Sequence, residues 1–472
     1  MLGLFGTLNL ASRSLQTQMT GVEVTGQNLA NINTTGYTRQ SVEIQTSPDI
    51  STTIGPEGTG ANAVAIQQVV NAILNSQIQT QQSTSGYWSA QQSALQSAQT
   101  SLDEFLNGTG SATSSTNSTT DTGLSGQLSS LFADFQSVAT SPTSVAARQK
   151  LISDAQTLAA TFNQVNSQLD ASRATLNTSL GDDVDSANKL ISEIADLNKQ
   201  ISTANFNGAT PNDLLDDREQ DLENLSSLTN ITTSTGTNGA VDVSIGGQSL
   251  VSGNQVLDTL QTYDAGGGQL LVQTATGGVN LTLTGGSMQG TIDARDGELA
   301  TMQSSINTLA STLITQVNTI HSGGYSLTGT TGANFFNGSD AATITVNVAL
   351  ASNPSLIQAS GTATANSDNA IARQLADLAS ATQPGLNNQT FGDSYDETVA
   401  ALGDSLQTAN DQVSNQTAVS NMLSTQRSSV SGVNVDQEMT NLMSFQRAYE
   451  ASAQLVTTLN TLLGDTLAMK NS

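Results

Sequence analysis

Apolar residues recur every seven positions at both ends of the chain. Near the N-terminus Leu8, Leu15, Val22 and Leu29 form one row. Near the C-terminus Leu442, Tyr449, Val456 and Leu463 form another, with Phe445 and Leu459 on the adjoining row. Such spacing makes a narrow seam suited to helix-on-helix packing. Neither segment has the apolar surface of a domain, so the pattern predicts ends that pack together or against copies of themselves. The N-terminal helix is read over 1–32. Its second row, Ala11, Gln18, Thr25 and Ile32, is weak, and Gly21 and Gly26 each lower helix propensity by about 1 kcal/mol relative to Ala. A helix of this kind depends on its packing partners.

Between the ends the periodicity changes several times. Asn33-Thr34-Thr35-Gly36 is turn chemistry, and Tyr37 to Thr46 is extended, ending at Pro48. Residues 61–106 read as one long helix, with Ile66, Val69, Val70, Ile73, Ile78, Leu95, Leu102 and Phe105 as its apolar positions and a bend at Gly86. Residues 107–123 are a Gly/Ser/Thr/Asn-rich connection. Ser141-Pro142 reads as a helix start. One helix is expected from Thr143 to about Leu180, a second through Val184–Ile201 and a third after Pro211. From Thr229 the period shortens: Val241, Val243 and Ile245 alternate with polar residues, as do Val279, Leu281 and Leu283. Gly-rich turns lie between them, which predicts a small antiparallel β region. Helices return over 298–321, 371–380, 398–426 and 435–469, and 343–348 forms a short strand within a loop.

The fold class is therefore mainly α with a smaller β insert. Its architecture is nested and multidomain: N- and C-terminal helices pair as a coiled-coil-like domain, outside a long helical bundle domain and a Gly-rich antiparallel β domain. The expected divisions are 1–60 and 431–472 for the terminal unit, 61–228 and 293–430 for the long-helix unit, and 229–292 for the insert. No fixed-period repeat is visible.

Composition sharpens this picture. The 472 residues are only 11% charged, less than half the usual share, so the surface is largely neutral and polar. No charged residue lies between Gly58 and Leu102. A Gln-rich helix without charges suits a surface that becomes a subunit interface, because amides hydrogen-bond without desolvating a charge. Biased composition alone is the plainer alternative. The net charge of -26 and scattered bases argue against nucleic acid, which demands a basic face. There are no cysteines, hence no disulfides or thiolate metal sites. No apolar run approaches a membrane span, so no membrane insertion is expected. The N-terminus lacks the basic leader of a secretory signal, so an extracellular destination requires another export route.

Candidate chemistry is sparse. The single histidine, His321, ends a helical pattern beside Gly323-Gly324, where a structural role suffices. Most triads and zinc sites are excluded by count. The acids Asp213, Asp216, Asp217, Glu219, Asp221 and Glu223 lack the alternation and central glycine of a calcium loop and read as a solvated helix face. The Gly clusters lack the Lys-Ser/Thr of a phosphate loop. Residues 229–292 offer mainly Asp242, Asp258 and Asp264. No enzyme, cofactor or metal site is indicated.

Two terminal motifs carry a family resemblance. Asn28-Leu29-Ala30-Asn31-Ile32-Asn33-Thr34-Thr35-Gly36-Tyr37 resembles the N-terminal signature of bacterial flagellar axial proteins, with Gln27 in place of its first Asn and Leu29 in place of Ile. The following Thr38-Arg39-Gln40 narrows the resemblance to the hook-associated protein 1 family, which forms the first hook–filament junction. At the other end, Ser431-Gly432-Val433-Asn434-Val435-Asp436-Gln437-Glu438-Met439 and Phe445-Gln446-Arg447-Ala448-Tyr449-Glu450-Ala451-Ser452-Ala453 are similar to that family's C-terminal segments. Internal stretches, 212–218 and 290–296, look alike too.

The resemblance implies a structural protein exported unfolded by the flagellar type III apparatus and localised outside the cell at the hook–filament junction. It implies helical self-assembly with copies of itself, and as partners the hook protein, the second hook–filament junction protein and an export chaperone on the C-terminal segment. The expected assembly interface comprises Leu8, Leu15, Val22, Leu29, Asn31, Asn33, Gly36, Tyr37, Arg39, Gln40, Leu442, Phe445, Tyr449, Val456, Leu459 and Leu463. Both termini are expected to be poorly ordered in the free monomer. Another flagellar axial protein (hook, distal rod or second junction protein) is one alternative. A secreted adhesin binding glycans through the β insert is another.

Overall fold

A computed structural model describes residues 3–52, 55–106, 123–365 and 367–470. Helix α1 (Leu4–Ala30) ends where the Asn31 N–H closes on the Gln27 carbonyl. Gly36 then takes a left-handed φ of +82° in the turn. Four strands follow: β1 (Gln40–Thr46), β2 (Ile50–Thr52), β3 (Gly55–Glu57) and β4 (Ala61–Gln68). β1 pairs antiparallel with β4, and β2 with β3. Residues 61–68, expected to open the long helix, are thus strand. The pairing of Val42 with Ile66 supplies a cross-strand partner that helical counting ignores. The helix begins only after Asn71, whose side chain accepts from the Ile73 and Leu74 N–H groups.

Helix α2 (Ala72–Leu106) runs unbroken through Gly86. A Cβ there would lie 2.0 Å from the Ser227 carbonyl oxygen, so this glycine serves close approach rather than a bend. The connection expected at 107–123 lies outside the described residues, save Gly123, which precedes α3 (Leu124–Thr140). That helix is unassigned in the sequence reading. Ser141 ends α3, and Ser144 caps α4 (Val145–Phe206), its hydroxyl accepting from the Ala147 N–H. The start expected at Ser141-Pro142 therefore moves three residues on. α4 is one helix of 62 residues rather than two, because Leu180, Val184, Ala187 and Ile191 prolong a single buried stripe.

Helix α5 (Asn212–Leu228) leads into the insert. There β5 (Ile231–Thr235), β6 (Val241–Ile245), β7 (Gln248–Ser252) and β8 (Gln255–Val256) form an antiparallel sheet in that order. β9 (Leu260–Asp264) and β10 (Leu270–Thr274) form a hairpin. Residues 279–283, expected as a strand, make only an isolated bridge from Asn280 to Gln273. Helix resumes with α6 (Gly286–Asp293), twelve residues before the expected start at Glu298. It passes through a π-helical turn at Ala294–Leu299 into α7 (Ala300–Ser322). The π turn holds Arg295, fully buried and bonded to Asp296, Asn177 and the Leu270 carbonyl. Short elements β11 (Phe336–Asn337), β12 (Thr345–Val346), α8 (Val348–Ser352) and α9 (Ala370–Asp377) precede two long helices, α10 (Phe391–Ser431) and α11 (Val435–Lys470).

One large core joins α2, α3, α4, α7, α9 and α10, with Phe135, Phe162, Phe335 and Phe391 at its centre. A second packs the insert on α4 and α5. The uncharged α2 uses its amides within the chain: Gln81 bonds Gln416, and Gln92 bonds Asn410, both on α10. His321 is fully buried. Its Nδ1 donates to the Ala333 carbonyl at 2.8 Å and its Nε2 accepts from the Gln358 N–H at 3.0 Å, fixing the neutral tautomer. Burial holds its pKa down at about 4. Its surroundings account for it structurally, as a pin for the loop after α7.

Candidate assembly interface

Helices α1 and α11 lie side by side in opposite directions, and three cross-contacts set their register. Ser14 Oγ meets Ser452 Oγ at 2.9 Å. A Cβ on Gly21 would fall 2.6 Å from the Phe445 ring. Asn28 Nδ2 donates to Glu438 at 3.1 Å. These contacts step by seven residues along each helix, so the pair is an antiparallel heptad seam. The row of α1 that meets α11 is Ser14, Gly21 and Asn28 rather than the leucine row beside it. Small residues bring the backbones close, and Gly21, a liability for helix propensity, makes room for an aromatic ring. Ala11 and Thr25 are also buried, and Thr17 turns towards β4, donating to the Ala61 carbonyl.

The residues singled out in the sequence divide by position. Leu8, Leu15, Val22 and Leu29 are half-buried flanks of the seam, as are Leu442, Val456 and Leu463, whereas the half-buried Phe445 lies in the seam over Gly21. Leu459 is buried, whereas Tyr449 is 40% exposed on the outer surface. Asn33 and Gly36 are exposed in the turn, and Asn31 bonds back to Gln27.

Tyr37, Arg39 and Gln40 instead enter a polar joint at the inner end of the pair. Asn28, almost fully buried, is its hub. Its amide donates to the Gln40 carbonyl as well as to Glu438, and its oxygen accepts from the Tyr37 hydroxyl at 2.8 Å and the Gln40 N–H at 2.9 Å. All its hydrogen-bonding capacity is used. Arg39 donates its N–H to the Ser431 carbonyl at 2.8 Å and lies 3.9 Å from Glu438. The carboxylates of α5 fasten this joint to the body. Asp216 accepts from the Thr38 N–H and from Gln68, and Asp213 accepts from Gln40. Glu219 accepts from Gln79, and Glu223 pairs with Arg427. The acidic run read as a solvated face is thus largely a clamp. Burial pushes Asp216, Glu219 and Glu223 above the usual carboxylate range. Burial, with Asp213, Asp216 and Glu438 nearby, pushes Tyr37 up to about 12.

Sequence reasoning missed Gly21, Asn28, Asp216 and Glu438. The heptad spacing of Ser14, Gly21 and Asn28 was available as a signal, but a search for large apolar residues passes over it. Outside the seam the pair carries exposed apolar side chains. Leu455 and Leu462 on α11 are 41% and 47% exposed, and Met469 extends their row at the same spacing; Phe5 on α1 is 71% exposed. Phe5, Leu455 and Leu462 thus leave much of their apolar surface open to solvent. Among the described residues no helix is long and apolar enough to cross a membrane.

Comparison with known proteins bears on what such a pair does. A family model described as the flagellar hook-associated protein FlgK helical domain matches residues 110–336. Models for the flagella basal body rod protein and for the flagellar basal body rod FlgEFG protein C-terminal region match 8–38 and 424–469. Flagellar hook-associated protein 1 of Bacillus subtilis (strain 168) is 28% identical, covering 98% of this chain and 98% of that protein. The protein of the same name from Salmonella typhimurium is 25% identical over 72% of this chain and 80% of its own length. The solved structure of the flagellar hook junction protein FlgK from Burkholderia pseudomallei shares the fold, with a TM-score of 0.62 and 19% identity over 75% of this chain and all of that one.

Proposed function

The chain belongs to the flagellar hook-associated protein 1 family, and we propose that it joins hook to filament through the exposed faces of its α1–α11 pair. It is a structural component of the bacterial flagellum rather than an enzyme, exported by the flagellar type III apparatus and assembled helically. The observation that carries this reading is the seam itself. Its inner row is satisfied within one chain, while Leu455, Leu462 and Phe5 remain in water. Full burial of such a side chain contributes about 1.5–3 kcal/mol relative to exposure, and the share belonging to the surface still open is gained when another subunit covers it.

Charge supports the same division. The acids crowd into residues 103–430, whereas 431–472 holds only Asp436, Glu438, Glu450 and Asp465 beside Arg447 and Lys470. Nearly neutral ends meet at little electrostatic cost while the acidic bodies repel. On this reading the terminal unit includes β1–β4, the long helices form the body, and the insert stands apart from assembly. The partners are copies of this chain, the hook protein, the second junction protein and an export chaperone shielding the C-terminal seam; the destination is extracellular. Leu8, Leu15, Val22, Leu29, Leu442, Val456 and Leu463 flank the contact, and Tyr37, Arg39 and Gln40 set its angle to the body. Deletion of the gene tests this: electron microscopy should show hooks without filaments, with flagellin lost to the medium. Normal filaments would refute the reading.

A further inference from the structure

The methionines divide by region. Met288 and Met302 are sealed in the interior, at 0% and 4% exposure, whereas Met19, Met422, Met439, Met443 and Met469 are between 41% and 73% exposed. These five lie on α1, α10 and α11. Met439 and Met443 stand one helical turn apart on α11, just beyond the Glu438 that anchors Asn28. The chain contains no cysteine, so no thiol competes with these thioethers for an oxidant.

We propose that Met439 and Met443, together with Met19, Met422 and Met469, are sulfoxidation sites of the unassembled subunit, and that their oxidation by peroxide-class oxidants blocks its entry into the junction. This inference rests on the reading that the terminal pair docks on other subunits. In the step, the thioether sulfur attacks one peroxide oxygen. The S–O bond forms as the O–O bond breaks, and the leaving oxygen takes up the proton and departs as water. Sulfur loses two electrons and the peroxide gains them. The product replaces a flexible apolar group with a polar acceptor. On a face that must be desolvated, an acceptor without a donor opposes docking. The interior methionines are shielded, so the body keeps its fold. Sulfoxide reductases reverse the change, which makes the oxidised subunit recoverable until it is lost from the cell surface.

The test uses the purified full chain added to motile-type cells lacking the gene, with filaments counted by microscopy. Hydrogen peroxide should add one oxygen to peptides carrying Met19, Met422, Met439, Met443 and Met469 well before those carrying Met288 or Met302. Filament restoration should fall about tenfold, the cost of one buried unpaired acceptor, and recover after treatment with methionine sulfoxide reductases. A chain with M19L, M422L, M439L, M443L and M469L should restore filaments equally before and after peroxide. Equal oxidation of Met288 and Met302, undiminished restoration by oxidised protein, or peroxide sensitivity of the leucine chain would each overturn the inference. Failure of untreated protein to restore filaments would instead overturn the docking reading, and this inference with it.

Discussion

The body and the terminal pair are both built from long helices, yet they close their interiors in opposite ways. In the body Phe135, Phe162 and Phe335 are at or below 1% exposure, and the helices interlock through large side chains. In the terminal pair the inner contacts are Ser14 with Ser452, Gly21 under Phe445 and Asn28 with Glu438. Val24 and Leu459 apart, the large apolar groups there, the half-buried Phe445 among them, are only partly covered. The body spends its hydrophobic surface within one chain. The terminal pair uses small and polar residues to fix a register and holds its apolar surface for a neighbour.

The sharpest break between the two regions should be in stability. Phe335 packs against Phe135, Phe336 and His321, so Phe335→Ala should cost about 3–5 kcal/mol. Chemical denaturation of the isolated chain measures this. A loss no larger than that from Leu15→Ala would mean that body and pair are not differently packed.

Acid should separate the regions next, because its sign differs between them. Burial holds His321 at about 4 against an ordinary 6.5. Between those values the unfolded chain carries the proton and the folded chain does not. The stability from neutral His321 is therefore full above pH 6.5 and falls by about 3 kcal/mol as pH drops towards 4. The joint behaves oppositely. Burial raises Asp216, Glu219 and Glu223, so their contribution is most favourable at low pH and is lost as pH rises through their folded values. Hydrogen exchange, corrected for intrinsic rates, should show the loop around Ala333 and Gln358 loosening from pH 6.5 to 4.5 while Thr38 and Gln40 do not. His321→Asn should flatten the first trend.

A double-mutant cycle probes the seam at smaller scale. Gly21→Ala alone should destabilise the pair by about 1–2 kcal/mol, because the new methyl displaces the Phe445 ring. With Phe445→Ala in place, the same change should stabilise α1 by up to about 1 kcal/mol through helix propensity. Exchange protection of α1 reads both. The same sign in both backgrounds would remove Phe445 from the seam.

These cases mark what the sequence makes legible. Periodicity locates α1, α10 and α11 and the β-rich insert, because each depends on a local pattern. It splits α4 after Leu180, where Gly181-Asp182 has the look of a turn although the buried stripe carries the helix through, and it takes β4 for helix, because the partners of Ala65 and Ile66 lie some twenty residues away. The site was legible as a heptad: on α11 the row of Phe445 and Leu459 lies in the seam, whereas on α1 the leucine row lies beside it. A search for large apolar residues in heptads finds these rows but passes over the exposed Phe5, Leu455 and Leu462, while the intrachain register rests on Gly21, Ser14 and Asn28, whose value appears only when the opposite helix is present. Likewise Asp213 and Asp216 look solvated until β1 and β4 bring Thr38, Gln40 and Gln68 to them.

Tyr449 provides the smallest effect on the isolated chain and the most direct test of the division. It shares the heptad of Leu442 and Val456 but is more exposed than either, at 40%. Tyr449→Asp therefore removes no sealed core contact, and its effect on monomer stability should stay within about 0.5 kcal/mol. On a face that becomes covered, the new carboxylate must be desolvated without a partner. Cells carrying this chain should form few filaments although the purified protein unfolds at the parental denaturant concentration. Tyr449→Phe, which keeps the ring, should restore them. Normal filaments on the Asp variant would show that the open part of the Tyr449 row stays in water, and a covering subunit would then have to meet the pair through Leu455 and Leu462 or through its α1 side.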